Sequence, residues 1–334
     1  MAACSSCVVF DPTLTTYDFG PTHPMNPIRV DLTVRLAEQL RVVGDGAMPL
    51  VAAPHATDAD LLTVHTADLI EAVRRTSVDP ADIQPELGLG TDDNPTFAGM
   101  HEAARHVVGA SLEAARMVWE GEVSHAANIA GGLHHAMPGR ASGFCVYNDV
   151  GGPEARGSAV NVALPPGTGD AGWLRAFHAV VPPLLREFDP EVLVTQHGCD
   201  SHMSDPLAHL MLSVDGQRAA YQTLHDLAHE VTGGRWVVTG GGGYAIVEVV
   251  PRAWTHLLGV VSGSPVDPDV ETPEDWRGHV AEVLHQDAPT RMTDGRAPDF
   301  RDWSEGFNPE TWLDRSIQAT RVAAFPPNGL DPGP

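Results

Sequence analysis

Two adjacent imidazoles, His134 and His135, lie in a loop reading Gly131-Gly132-Leu133-His134-His135-Ala136. Side by side, such groups can hold two protonation states near neutral pH, as general acid–base hydrolysis requires. The flanking glycines allow backbone to approach a ligand closely. Shortly after comes Gly143-Phe144-Cys145-Val146-Tyr147-Asn148-Asp149. A second stretch, Gln196-His197-Gly198-Cys199-Asp200-Ser201-His202, leads into Asp205-Pro206-Leu207. Its carboxylates and imidazoles suit a borderline metal such as zinc, while Asp200 and Asp205 are equally placed to close turns.

Two further constellations compete for chemistry. Thr239-Gly240-Gly241-Gly242-Gly243-Tyr244 formally fits G-x-G-x-x-A through Gly240, Gly242 and Ala245. No acidic residue follows at a strand end to hold a ribose, which weakens a dinucleotide reading. A mobile loop that offers the Tyr244 hydroxyl to a developing oxyanion fits better. His225-Asp226-Leu227-Ala228-His229 puts two imidazoles on one helix face, as the zinc-peptidase H-E-x-x-H does with Glu. With a shorter carboxylate and no third ligand in view, it reads as a decoy.

These loops need a scaffold to position them. At 334 residues and 43% hydrophobic, the chain can bury a large core without disulfides. The net charge of −24 disfavours nucleic acid, whose phosphates it would repel. No apolar run is long enough to span a membrane and no leader pattern opens the chain, so a cytoplasmic protein is expected. The sequence contains no lysine, which excludes Schiff-base chemistry and a Walker A loop. Cys4 and Cys7 form a C-x-x-C expected to fray at the terminus, whereas Cys145 and Cys199 have the apolar neighbours of buried thiols.

Periodicity predicts a short strand at Val8–Phe10 and a helix after Asn26-Pro27 that runs toward Gly44. Helices follow over Thr66–Arg75 and Phe97–Glu120. Beyond these, strand-like runs at 159–164, 191–196 and 236–239 alternate with helices at 173–188, 217–231 and 247–258. That alternation implies βαβ units and a mostly parallel sheet, with reactive loops beyond the strands' carboxyl ends. Residues 265–300 are polar and Pro-rich, Glu310–Val322 is a last helix, and 326–334 is expected as a disordered tail.

In this order, the motifs resemble the arginase–deacetylase superfamily, and within it the acetoin-utilization deacetylases related to class I histone deacetylases. The likeness begins at Tyr17-Asp18-Phe19-Gly20-Pro21-Thr22-His23-Pro24-Met25-Asn26-Pro27-Ile28-Arg29 and passes through Gly88-Leu89-Gly90-Thr91-Asp92-Asp93-Asn94-Pro95. It continues through the His-His, Gly-Phe-Cys and Asp200–Asp205 motifs to the Tyr244 loop. The resemblance implies one deacetylase-like α/β domain over residues 1–325, with a mostly parallel sheet flanked by helices. It implies a zinc-dependent enzyme that hydrolyses the N-acetyl-lysine amide of acetylated protein, an acetylated acetyl-CoA synthetase among the possible substrates.

By the same resemblance, His134 and His135 are the paired base and acid, and Tyr244 donates to the oxyanion. Asp93 holds the substrate backbone at the rim, Gly143 and Phe144 line the lysine tunnel, and Asp205 is one of three zinc ligands. One departure is large. The family's Asp-x-Asp-x-His-His-Gly-Asp-Gly motif, which supplies the other two ligands and the carboxylates behind the histidines, has no counterpart after Asp149. The expectation is a central βα segment deleted near 150/151, an impaired enzyme, and doubtful zinc binding unless His197 or His202 adds ligands. The alternatives are a catalytically silent relative that binds acetylated protein and, more distantly, a dinucleotide-binding enzyme.

Overall fold

A computed structural model describes residues 5–150 and 159–333. The chain opens with strand β1 (Ser6–Val9), whose Cys7, Val8 and Val9 are fully buried. Cys7 is thus a core residue rather than part of a frayed end, and burial pushes its thiol up to about 11; Cys4 lies outside the described residues. Helix α1 (Ile28–Gln39) starts where expected, with the Asn26 side chain accepting the Ile28 N–H at 3.0 Å. It ends before Gly44, because the chain turns through Arg41 at φ 57°.

Strand β2 (Leu50–Val51), helix α2 (Asp58–Leu61), helix α3 (Ala67–Val78) and helix α4 (Met100–Trp119) follow. Then come β3 (His125–Asn128), α5 (Asp170–Phe188), β4 (Leu193–Gln196), α6 (Val214–Thr232) and β5 (Trp236–Thr239). Helices α7 (Val250–Val261), α8 (Glu274–Leu284) and α9 (Trp312–Ala324) complete the order. The five strands form one parallel sheet, β2-β1-β3-β5-β4, flanked by helices. Helix α4 packs on β1, β3 and β5, α7 packs on β3, and α1 and α6 both lie against α7.

Three elements differ from the sequence expectation, each for a tertiary reason. His125-Ala126-Ala127-Asn128 lacks the β-branched residues of a strand, yet all four residues are buried between β1 and β5. Residues 159–164 form no strand; Thr320 Oγ1 of α9 donates to the Asn161 carbonyl at 3.2 Å and Ser316 Oγ to that of Ala163. Val162 and Leu164 there pack toward Ile317 and Phe325. Within the polar 265–300 segment, α8 exists because Trp276 and Val280, one turn apart, are fully buried. Trp276 Nε1 also donates to the Leu32 carbonyl at 2.9 Å. Beyond α9, Pro326–Asn328 forms a 3-10 turn, Leu330 packs near Phe325, and the Arg321 guanidinium donates to the Gly333 carbonyl at 3.0 Å.

Parallel pairing places His125, Leu193 and Trp236 level at one end of the sheet. Asn128, Gln196 and Thr239 lie at the other, and the three reactive loops leave from there.

Candidate active site

The loop after β3 is held from beneath by Asp149. Its carboxylate accepts the backbone N–H groups of Gly132 at 3.0 Å and Leu133 at 2.6 Å, together with the Ser111 hydroxyl. Burial pushes the Asp149 carboxyl up, and these donors pull it back toward the charged form. Asn148 adds a second clamp, its side-chain amide donating to the carbonyls of His134 and Ala136. The result presents His134 and His135 with ring centroids 4.2 Å apart.

Both histidines are exposed. Desolvation of the ring and then the neighbouring His135 hold His134 below the ordinary imidazole value, against the Gly132 carbonyl and Asp149, which pull the other way. No carboxylate hydrogen-bonds to either imidazole among the described residues. Close packing builds the rest of this wall. Gly143, at φ 52°, lies under the His135 ring, and an added Cβ would meet His135 Cγ at 2.8 Å. The next residue, Phe144, also has positive φ, 67°. The Tyr17 hydroxyl fixes that turn by donating to the Phe144 carbonyl and accepting the Val146 N–H.

Phe144 stands edge-on to His23, with centroids 4.6 Å apart, and to Tyr244 at 5.5 Å. Asp93 is exposed nearby, its carbonyl 3.2 Å from His23 Nε2. The tertiary structure therefore gathers His134, His135, Gly143, Phe144 and Tyr244 on one side of the sheet, with Asp93 at the edge.

The glycine-rich loop after β5 is anchored, not loose. Buried Arg29 donates through Nη1 to the carbonyls of Gly241 at 2.8 Å and Gly243 at 3.1 Å, its guanidinium over the Trp254 ring. Gly240 and Gly132 press backbone to backbone, leaving no room for a Cβ. The glycines therefore serve close packing between loops. Burial, reinforced by Asp200, pushes the Tyr244 phenol well above its ordinary value and keeps it a neutral donor.

Asp205 is where the metal expectation is decided. It is buried, and Oδ1 accepts the N–H groups of Leu207 at 2.9 Å and Ala208 at 3.2 Å. Oδ2 accepts the Tyr244 N–H at 2.8 Å. Both candidate helpers are engaged elsewhere. His197 is buried against Thr195 Oγ1 at 2.6 Å. His202 has both ring nitrogens engaged, Nε2 with Asp294 at 2.8 Å and Nδ1 with the Ser204 N–H at 3.0 Å. Zinc does not fit this donor set.

Elsewhere the structure supplies the third imidazole that the His225–His229 pair lacks in the sequence. His125 of β3 supplies a third imidazole, and one ligand atom from each of the three lies within 4.8 Å of the others. It is the only cluster of metal-ligand type and spacing among the described residues.

The histone deacetylase domain pattern matches residues 23–151 and 149–261, which hold every loop described above. The chain belongs to the histone deacetylase family. It is 34% identical to the acetoin utilization protein AcuC of Bacillus subtilis (strain 168) over 333 aligned residues, covering 81% of this chain and 85% of the relative. It is 28% identical to AcuC of Staphylococcus aureus (strain MSSA476), covering 86% and 90%. For AcuC of Staphylococcus xylosus the identity is 29%, covering 80% and 85%. Deacetylases of this family generally use zinc, and the departure here is that Asp205 has no second or third ligand gathered beside it among the described residues. Arg29 and Tyr17 fall inside the first sequence motif, but only the fold reveals what they hold. His125 carried no local signal at all.

Proposed function

We propose that this chain is a histone deacetylase relative with severely impaired amide hydrolysis, which keeps acetylated protein as its ligand class. The observation that carries this reading is that Asp205 stands as a single carboxylate donor, with the His197 ring engaged by Thr195 and the His202 ring by Asp294 and the Ser204 N–H. A catalytic zinc takes three protein ligands, and the imidazoles around it rely on carboxylates to select a tautomer. Among the described residues His134 and His135 have no such partner, and both are exposed.

An internal deletion accounts for this pattern. The two family matches meet at residues 149–151. The 333 positions aligned with the Bacillus subtilis relative also exceed the 81% of this chain they include, so the relative carries residues that this chain lacks. Residues 151–158, where the junction falls, lie outside those described.

Support for retained binding comes from the intact wall of Phe144, His23 and Tyr244, with Asp93 at its edge. An acetyl-lysine side chain is largely apolar with one amide, which suits aromatic edges and a phenol donor. The net charge of −24 favours a protein ligand over nucleic acid. Acetylated cytoplasmic proteins, an acetyl-CoA synthetase among them, are the substrates this reading carries over.

The test pairs calorimetric binding of an acetyl-lysine peptide with acetate release. Binding that is weakened by Phe144→Ala, with acetate release no faster than in a His134→Ala/His135→Ala double variant, supports the proposal. Robust acetate release that the double substitution abolishes overturns it.

A further inference from the structure

We propose that His125, His225 and His229 form a zinc site at the amino-terminal end of the sheet, remote from the His134 and Tyr244 loops. The residues come from two elements. His125 opens β3, level with Trp236 of β5, and His225 and His229 sit one turn apart on α6. Their rings meet edge to face, with centroids 5.0, 5.1 and 4.7 Å apart in the three pairs. The Trp236 indole backs the cluster, 5.4 Å from His125 and 5.9 Å from His225.

Two of the imidazoles have Nδ1 held by an oxygen partner. His125 Nδ1 lies 2.8 Å from the Val261 carbonyl, so in the neutral imidazole it carries the proton. His225 Nδ1 faces the Asp226 carboxylate at 3.4 Å, the carboxylate–histidine arrangement found behind metal ligands. Its Nε2 is buried with no hydrogen-bond partner among the described residues, and the side chain as a whole is 16% exposed. An orphaned buried ring nitrogen is costly in a purely structural histidine, and a metal would satisfy it.

His229 closes the cluster from the solvent side. Its ring rests on Gly234, where a Cβ would stand 3.0 Å from Nδ1. Being in the last turn of α6, it also lies where helix carbonyls favour a cation.

Three neutral nitrogen donors select a borderline divalent metal over magnesium or calcium, which prefer oxygen. A three-histidine set leaves a fourth position for water. Zinc bonds of about 2.1 Å set neighbouring ligand nitrogens about 3.4 Å apart, so atoms that lie within 4.8 Å of one another would draw in by up to about 1.4 Å. The ion would tie β3 to α6 across the end of β5.

The experiment measures zinc per chain on the full-length protein by elemental analysis after dialysis against micromolar Zn2+, with Co2+ absorption as a second readout. The expected result is near one equivalent and visible cobalt bands of a four-coordinate nitrogen site. His229→Gln should weaken zinc binding by about a hundredfold or more, beyond the loss typical of a supporting partner. Because His229 is exposed, the metal-free melting curve of that variant should match wild type. Asp205→Asn and His134→Ala should keep the equivalent. Zinc lost only with Asp205→Asn would overturn the proposed function and this inference together. Zinc that survives His229→Gln, or no zinc at all, would overturn this inference alone.

Discussion

The carboxylate of Asp205 accepts the backbone N–H of Tyr244 at 2.8 Å, across 39 residues of sequence. The residue expected to bind a metal instead sets the height of the loop that presents the phenol. Two loops from neighbouring strands are thereby locked into one wall.

Asp205→Ala removes the shared acceptor of three part-buried backbone donors at once. Urea denaturation should show a loss of about 1.5–4 kcal/mol, from a net contribution of about 0.5–1.5 kcal/mol for each of the three hydrogen bonds lost. Bound zinc should not change, and elemental analysis of the same sample checks it.

Arg29→Met removes the guanidinium that holds the Gly241 and Gly243 carbonyls while keeping most of its bulk. Hydrogen bonds from charged donors contribute about 1.5–3 kcal/mol, so a loss of about 3 kcal/mol is expected. Amide exchange at Gly241–Tyr244 should speed up more than exchange in β1.

Acid should destabilise the fold well before its carboxylates titrate. Burial holds His197 down to about 3 and His256 down to about 4, against 6.5 for an ordinary imidazole. Both stay neutral in the native state while the unfolded chain takes up protons, so their contribution is complete above pH 6.5. It falls as pH drops from there toward 4, by up to about 1.4 kcal/mol per pH unit for each group. Denaturation midpoints from pH 8 to 4 should trace that slope, and His256→Gln should flatten it.

Strand β4 is the sheet edge beyond β5, and Val194 on it is 48% exposed. An apolar, unpaired edge invites pairing with another chain. Val194→Lys should reduce self-association in sedimentation velocity and change stability by no more than about 0.5 kcal/mol.

Much of the scaffold was legible from sequence, because buried helices and strands repeat with their own periods. The strands around Val8, Leu193 and Trp236 and the helices from Asn26, Thr66 and Phe97 follow from that periodicity. Strand β3 was not legible, since His-Ala-Ala-Asn is a strand only by virtue of its place between β1 and β5. Helix α8 was hidden for a related reason. Two buried residues, Trp276 and Val280, carry it within an otherwise polar segment.

By itself the sequence determined the family, the parallel α/β class and the loops in which His134, His135 and Tyr244 would be found. Motif order and strand-end position are local properties, readable along the chain. Only the tertiary structure decided that the Asp205 carboxylate is taken up by backbone donors, and that His125 joins His225 and His229. Both depend on partners dozens of residues away. Such groups meet only when parallel strands align their ends, and no local pattern of residue types encodes that meeting.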